Sequence, residues 1–295
     1  MTAVPPIDAQ TAARNQRQAI LLAIFTMFCF TIMDACVKGL APRVGVVPAL
    51  WARYSGQMLV VFLLVLPRLG QTVRTSLPVL QITRSVLLLC GTGFFFFGVS
   101  MIPLTDATAL MAVSPVIVTL GAALFLGEAL GLRRIMGIAV AMCGAAIIIR
   151  PGSGVFSLGS VLPLIAACCY SAYILVTRKV GHRESVWTSL FYTGLVGTVI
   201  LTAVVPFFWQ TPDLIAIGLM GMIALFGTAG QLSLIRAYSL GEASMLAPYT
   251  YTGLVFAAFW GFTIFGEVPD KMTALGALVI ASAGIYVWHR EMNSK

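Results

Sequence analysis

A chain of 295 residues that is 59% hydrophobic and 9% charged, with mean hydropathy +0.98, carries more apolar surface than a soluble domain of that length can bury. Soluble classes are thereby excluded, and the chain is expected to be a polytopic membrane protein with the lipid bilayer as its surroundings. Its 18 Lys and Arg against 10 Asp and Glu give a net charge of +8; the basic residues sit in short gaps between apolar runs, so they read as orientation in a bilayer and no nucleic-acid partner is expected.

Residues 1–18, MTAVPPIDAQTAARNQRQ, are polar and contain prolines, and are expected to form a disordered cytoplasmic tail. Arg14 and Arg17 ahead of an apolar run would also suit a signal peptide, but the length of the run, Asp34 and Lys38 within it, and the many spans that follow favour an uncleaved first helix. Crossing the hydrocarbon core takes about 20 apolar residues. Cutting the chain at charges and Pro/Gly clusters gives ten segments, near 19–40, 46–66, 79–100, 104–126, 131–150, 156–178, 186–206, 213–236, 242–265 and 271–289. The runs are continuous and do not alternate with period two, so helices are preferred to barrel strands. With the N-terminus inside, thirteen of the eighteen basic residues fall on the cytoplasmic face and five on the other. That bias predicts a multi-pass protein of the cell inner membrane with both termini cytoplasmic.

In the first span, Asp34 and Lys38 are four residues apart on one helix face. A carboxylate at membrane depth costs about 2.5–3.5 kcal/mol on insertion scales, so Asp34 is expected to face a cavity or a partner. Two readings stand: a substrate or proton-coupling group, or a fastener pairing with Lys38 or with Arg53 of the second span. Arg53 lies in WARYSGQ. Its guanidinium suits a carboxylate-bearing substrate by a planar bidentate contact, and it equally suits snorkelling to the interface beside Trp51.

Pro115 in the fourth span and Pro248 in the ninth each release a backbone carbonyl one turn earlier, at Met111 and Ser244. Pro163 in the sixth span is expected as a third helix break. Packing kinks and hinges beside a cavity are both compatible with such breaks, and recurrence in two spans favours the hinge. Around them lie Ser114, Tyr170, Tyr173, Thr228, Gln231, Tyr249 and Tyr251. Ser114, Tyr170, Gln231, Tyr249 and Tyr251 join Asp34 and Arg53 as the expected cavity residues, able to stack on a flat ring and hydrogen-bond its edge. For the tyrosines near Pro248 the alternative is interfacial anchoring.

The six cysteines lie inside apolar runs with no C-x-x-C or Cys/His cluster, so they read as packing residues; neither a metal nor a cofactor is expected. No Walker spacing precedes any lysine, and no catalytic constellation stands at membrane depth, so an enzyme is disfavoured.

The stretch 106–128, TDATALMAVSPVIVTLGAALFLGE when read from Thr105, returns in degenerate form at 242–267. An offset of 136 pairs Gly91 with Gly227, Thr92 with Thr228, Asp106 with Glu242 and Leu110 with Leu246; an offset of 139 then pairs Glu128 with Glu267. The chain thus divides into a first repeat, 19–150, a Pro/Gly linker, a second repeat, 156–289, and a short cytoplasmic tail, 290–295. Five spans is an odd number, so the halves enter the membrane in opposite senses. The fold class expected is an all-α integral membrane protein, ten transmembrane helices arranged as two inverted five-helix repeats, the architecture of alternating access.

These paired elements, "SP…LFLGE" at Ser114 to Glu128 and "APYTYTGLVFAAFWGFTIFGE" at Ala247 to Glu267, with "MDACVKGLA" and "WARY" early in the chain, resemble the EamA family of the drug/metabolite transporter superfamily. The resemblance covers roughly residues 19 to 290. It implies a central cavity lined by helices 1, 3, 4, 6, 8 and 9, and substrates such as amino acids, nucleobase-like or vitamin-like metabolites, opine metallophores or drugs. The Asp34/Lys38 form of the first span is similar to that of members taking up riboflavin or S-adenosylmethionine. Many members carry an acidic residue where this chain reads Tyr-Thr-Tyr-Thr, which weighs against carboxylate coupling through the ninth span. The expected function is secondary transport of a small organic metabolite, with a homodimer compatible; a channel or a non-transporting structural or signalling partner is the alternative.

Overall fold

The computed structural model describes residues 9–126, 132–149, 158–180, 183–240 and 246–292, and among them every regular element is a helix. The linker and Glu128 and Glu242 lie outside the described residues. In chain order the helices are α1 (Ala9–Val44), α2 (Val46–Val65), the single turn α3 (Leu69–Thr72), α4 (Pro78–Met101), α5 (Leu104–Met111), α6 (Ser114–Leu126), α7 (Leu132–Ile149), α8 (Leu158–Val180), α9 (Val186–Val204), α10 (Leu214–Leu240), α11 (Thr252–Phe265) and α12 (Lys271–Met292). Among the described residues, six spans are long and apolar enough to cross a membrane by themselves: those on α1, α2 to α3, α4, α8, α9 and α10. Four shorter apolar helices accompany them, over Leu104–Val118, Ala139–Ile148, Tyr249–Phe265 and Lys271–Tyr286.

Local chemistry sets the boundaries. Pro78 stands at the first position of α4, where a missing N–H costs nothing. Ser185, Asp213 and Asp270 accept from the backbone N–H groups of Thr188, Ala216 and Thr273 and so cap α9, α10 and α12. Gly45, at φ 84°, turns the chain from α1 into α2 in one residue. The first helix starts at Ala9, well before the expected boundary at 19. Once Pro5 and Pro6 are passed, AQTAARNQRQ is rich in good helix formers and continues the apolar helix without a breaker. Pro163, expected as a break, stands inside a continuous α8. It falls in the helix's second turn, where only the bond to the Gly159 carbonyl is forgone, and its ring packs at Gly98 of α4, the side on which a Cβ would come within 2.8 Å of it.

The two halves pack as mates. Helix α1 runs along α10, and α8 runs along α4 in the same way; α11 lies on α1 as α5 and α6 lie on α8; α2 meets α10 as α9 meets α4. The remaining large contacts, α2 with α9 and α7 with α12, each join an element to its own counterpart. Every main contact between the halves therefore recurs under exchange of the repeats, the pattern a two-fold relation produces. Glycines paired by the sequence offset allow it: at Gly91 a Cβ would press on the Tyr170 backbone nitrogen at 3.3 Å, and at Gly227 on Met33 at 3.1 Å and Arg53 at 3.3 Å. The central core joins Met33, Val37 and Leu40 of α1 with Leu50 and Tyr54 of α2, Phe95, Phe96 and Val99 of α4, Ala166 of α8 and Ile223 of α10. Outward-facing Leu59, Leu63, Phe125, Phe207, Leu214 and Val255 are exposed, as lipid-facing positions must be.

Each end of the bundle has a clasp. At the end away from the N-terminus, Arg43 in the last turn of α1 pairs with Asp213 before α10 at 2.6 Å. At the other end, Glu184 between α8 and α9 accepts from Thr75 Oγ1, Ser76 N and Ser76 Oγ between α3 and α4. Partial burial acts to raise the Glu184 carboxyl, but these hydrogen bonds outweigh it and hold the group below the usual carboxylate range. A folded-state value lowered in this way adds stability above the unfolded value of about 4.3, and the gain is lost as pH falls through the folded value. Glu184→Gln is therefore expected to lower the thermal midpoint of the purified protein at neutral pH and to leave it unchanged at the acid extreme. A pH series of unfolding midpoints, wild type against variant, checks this.

Candidate functional site

The seam between the repeats carries a column of buried polar groups. Arg53 is 4% exposed and Asp34 6%. Arg53 reaches across from α2 to donate from Nη1 to Thr92 Oγ1 at 2.5 Å, and Tyr54 donates to the same oxygen at 3.2 Å. Its guanidinium sits over the rings of Tyr54, Phe96 and Phe30, 5.2 to 6.0 Å from their centroids, a cage that holds the plane of the group. Gly227 of α10 closes the fourth side. Arg53 Nε and Asp34 Oδ1 are buried and make no hydrogen bond, and the two residues are not ion-paired with each other. Asp34 is thus ion-paired with neither Lys38 nor Arg53, although the Arg53 charge acts on it from beyond ion-pair distance.

Two turns toward the N-terminal end of α4, Arg84 is fully buried. It donates to Thr177 Oγ1 at 3.2 Å, Gln81 Oε1 at 3.0 Å and the Tyr173 hydroxyl at 3.2 Å. The same hydroxyl accepts from Gln231 Nε2 of α10 at 2.9 Å, and the ring of Tyr170 stacks on that of Tyr173 at 5.8 Å. Gln231, 0% exposed, keeps Oε1 unpartnered. Gln57 of α2 donates to the Leu190 carbonyl of α9 at 3.2 Å and likewise keeps Oε1 free. A buried polar atom left without a partner costs about 1–3 kcal/mol. Such atoms on Asp34, Arg53 and Gln231, from both repeats, make an arrangement suited to a ligand that supplies the missing donors and acceptors.

The remaining expected site residues fall elsewhere. The fourth span is interrupted at Ala112–Val113, and Ser114 Oγ donates to the Met111 carbonyl at 2.7 Å, so the carbonyl that Pro115 leaves open is satisfied by the residue before the proline. The Ser114 carbonyl in turn accepts from Ser171 Oγ of α8 at 3.1 Å. Ser114 is thus part of the break itself. In the second repeat the counterpart is the 3₁₀ turn Ala247–Tyr251 with Pro248 at its start; Ser244 lies outside the described residues. Tyr251 turns to α12, where its hydroxyl rests against Gly284, and it packs with Leu110, Val113 and Ile280. Tyr249 joins Ala19, Ala23, Ala237 and Leu246 near the start of α1. The structure gathers Asp34, Arg53, Gln231 and Tyr170 along the seam and does not bring Ser114, Tyr249 and Tyr251 to them.

Sequence reasoning missed Tyr54, Gln57, Arg84 and Thr92. Arg84 falls inside the expected third segment, 79–100, where it counts among the basic residues of the cytoplasmic face; QITRS lies inside the apolar register of α4, with Gln81 three residues away on the same face. Thr92 carries a clearer signal, since the repeat pairs it with Thr228. Glu267, which the repeat offset pairs with Glu128, is paired with Lys38 at 2.6 Å, with side chains only 19% and 16% exposed.

A helical membrane protein of two mated halves with unpaired polar groups buried between them has the build of a solute transporter. Comparison with known proteins agrees: the sequence profile of the EamA-like transporter family matches residues 17–150 and again 157–288. The chain belongs to the EamA-like transporter family. It is 30% identical over 220 residues to an S-adenosylmethionine uptake transporter of Rickettsia bellii, covering 75% of this chain and 76% of that one. It is also 30% identical to the pseudopaline exporter CntI of Pseudomonas aeruginosa, over 91% of this chain and 95% of the exporter. A riboflavin transporter of Rhizobium johnstonii is 30% identical over 77% of this chain and 76% of its own. A solved crystal structure, 14% identical, superposes with TM-score 0.65 over 95% of this chain and 97% of its own, and shares the fold.

Proposed function

We propose that this protein is a secondary transporter that carries a small organic metabolite across the cell inner membrane by alternating access, with ten membrane spans and both termini cytoplasmic. Helices α5 and α6 count as one span broken at Ala112–Val113, beside Pro115, and α11 as one span entered through the 3₁₀ turn that holds Pro248. The observation that carries the reading is the set of unpaired buried atoms on Asp34, Arg53 and Gln231 at the seam of two mated halves. Halves that rock about such a seam expose it to each side in turn.

In this reading Arg53 takes a carboxylate or other anionic group of the substrate, Asp34 takes a cationic or N–H group, or a proton, and Gln231 with the stacked Tyr170 and Tyr173 takes a ring or amide edge. Relatives named for S-adenosylmethionine, riboflavin and pseudopaline supply the first substrates to try, in both directions.

The test is transport of labelled S-adenosylmethionine and riboflavin into proteoliposomes, wild type against Asp34→Asn, with and without an imposed pH gradient. The expected result is gradient-driven accumulation that is lost in Asp34→Asn while exchange of labelled for unlabelled substrate survives, because a neutral amide still hydrogen-bonds but cannot release a proton. Accumulation unchanged in Asp34→Asn removes Asp34 from coupling.

A further inference from the structure

We infer that Lys38 and Glu267 form the outer gate of the transport cycle, and that Lys38 opens it by exchanging Glu267 for Asp34. The inference rests on the alternating-access reading above.

The pair ties both repeats at the outer end. Lys38 Nζ is 2.6 Å from Glu267 Oε1 and donates to the Ile102 carbonyl at 2.7 Å, while Glu267 Oε2 accepts from the backbone N–H of Leu104 at 2.9 Å. Leu104 opens α5, so the carboxylate of the second repeat neutralises the positive end of a first-repeat helix. Ile102 and Pro103 form the joint between α4 and α5, where the chain leaves helical geometry. Glu267 is brought there by Gly266, whose φ of 66° ends α11 and folds the next residue back, its own N–H bonding to the Gly261 carbonyl at 3.0 Å. The ring of Phe265 lies 5.6 Å beneath the ammonium and limits water access. Helices α1 and α11 cannot part at this end unless the ion pair breaks and one of the two backbone contacts to the α4–α5 joint goes with it.

Breaking them leaves an ammonium at membrane depth, which is costly unless another carboxylate receives it. Asp34 is that carboxylate: it lies one turn deeper on the same helix face as Lys38, buried, with Oδ1 unpartnered. Lys38 therefore has two places to rest, one holding the outer ends together and one beside the substrate seam. Whatever occupies Asp34, whether a proton or a cationic group of the substrate, withdraws the second place and returns Lys38 to Glu267. The outer gate thus senses the state of the site.

Distances between spin labels at Ala41→Cys on α1 and Val268→Cys after α11, in the full chain with the native cysteines replaced, test the gate without needing a substrate. Glu267→Gln, which keeps an acceptor for the Leu104 N–H but loses the charge, is expected to shift the distribution so that a longer component becomes the major one. Asp34→Asn is expected to shift it the other way. Lys38→Arg should retain the short distance and shows that the site tolerates substitution. Arg43→Gln, which breaks the neighbouring pair to Asp213, should leave the distribution unchanged, because α1 and α10 pack along their lengths. A Glu267→Gln distribution identical to wild type overturns the gate, and Asp34→Asn shifting toward the longer component overturns the exchange. Either result is independent of whether labelled metabolites are transported, so failure of the gate and failure of the transport reading are distinguishable.

Discussion

Arg53→Gln is expected to weaken substrate binding and transport about 10- to 100-fold, the loss of one hydrogen bond to a charged group worth about 1.5–3 kcal/mol. Glutamine keeps a donor for Thr92 and much of the side-chain volume, so the change isolates the charge and the unpartnered Nε. Arg53→Lys is expected to be nearly as poor. A lysine restores the charge but not the planar fork, and the cage of Phe30, Tyr54 and Phe96 is shaped for a flat cation. Arg53→Gln also removes the positive charge that acts on the buried Asp34 carboxylate, which destabilises the fold. Pairing Arg53→Gln with Asp34→Asn should recover the thermal midpoint without recovering transport. Uptake of the labelled substrate alongside unfolding midpoints for the three variants checks both halves of the argument. Wild-type uptake in Arg53→Gln would place substrate recognition elsewhere along the seam.

What the sequence disclosed and what it hid follow from range. The duplication was legible because residues such as Gly91 and Gly227 repeat at a fixed offset, and those two glycines prove to do matching jobs against α8 and α1. The polarity of Asp34, Arg53 and Gln231 was legible because a polar side chain in an apolar run stands out against its neighbours. The direction in which a side chain points is a matter of packing, and there the reading failed: in PYTYT, Tyr249 and Tyr251 go to different clusters, since two residues along a 3₁₀ turn is most of a revolution. The Lys38 pairing was hidden for another reason. Asp34 is its near neighbour in sequence, whereas Glu267, in the other repeat, is brought close only by the packing of α11 on α1. Arg84 was legible only as a basic residue near the cytoplasmic face, and the Gln81, Thr177 and Tyr173 contacts show it drawn inward.

Gly276→Ala in α12 is expected to lower stability. Helices α7 and α12 cross where Gly144 and Gly276 face each other: a Cβ on Gly276 would come to 2.7 Å from the Gly144 carbonyl and 2.5 Å from Ile148, and one on Gly144 to 2.9 Å from the Gly276 carbonyl. Alanine gains up to about 1 kcal/mol of helix propensity over glycine. Overpacking costs about 1–3 kcal/mol, and here the obstacle is partly backbone, which cannot swing aside as a side-chain end can. The packing term should therefore win and the helices should be forced apart. Gly221→Ala in α10, where a Cβ meets nothing within 4 Å, provides the opposite sign from the same chemistry, since only the propensity term remains. Thermal unfolding of the purified variants should show Gly276→Ala below wild type and Gly221→Ala at or above it. If Gly276→Ala matches Gly221→Ala, the α7 and α12 crossing has slack and does not clamp the two repeats together. If the drop appears, the crossing is closely packed, which suits a contact that stays closed while α1, α4, α8 and α10 move in the proposed cycle.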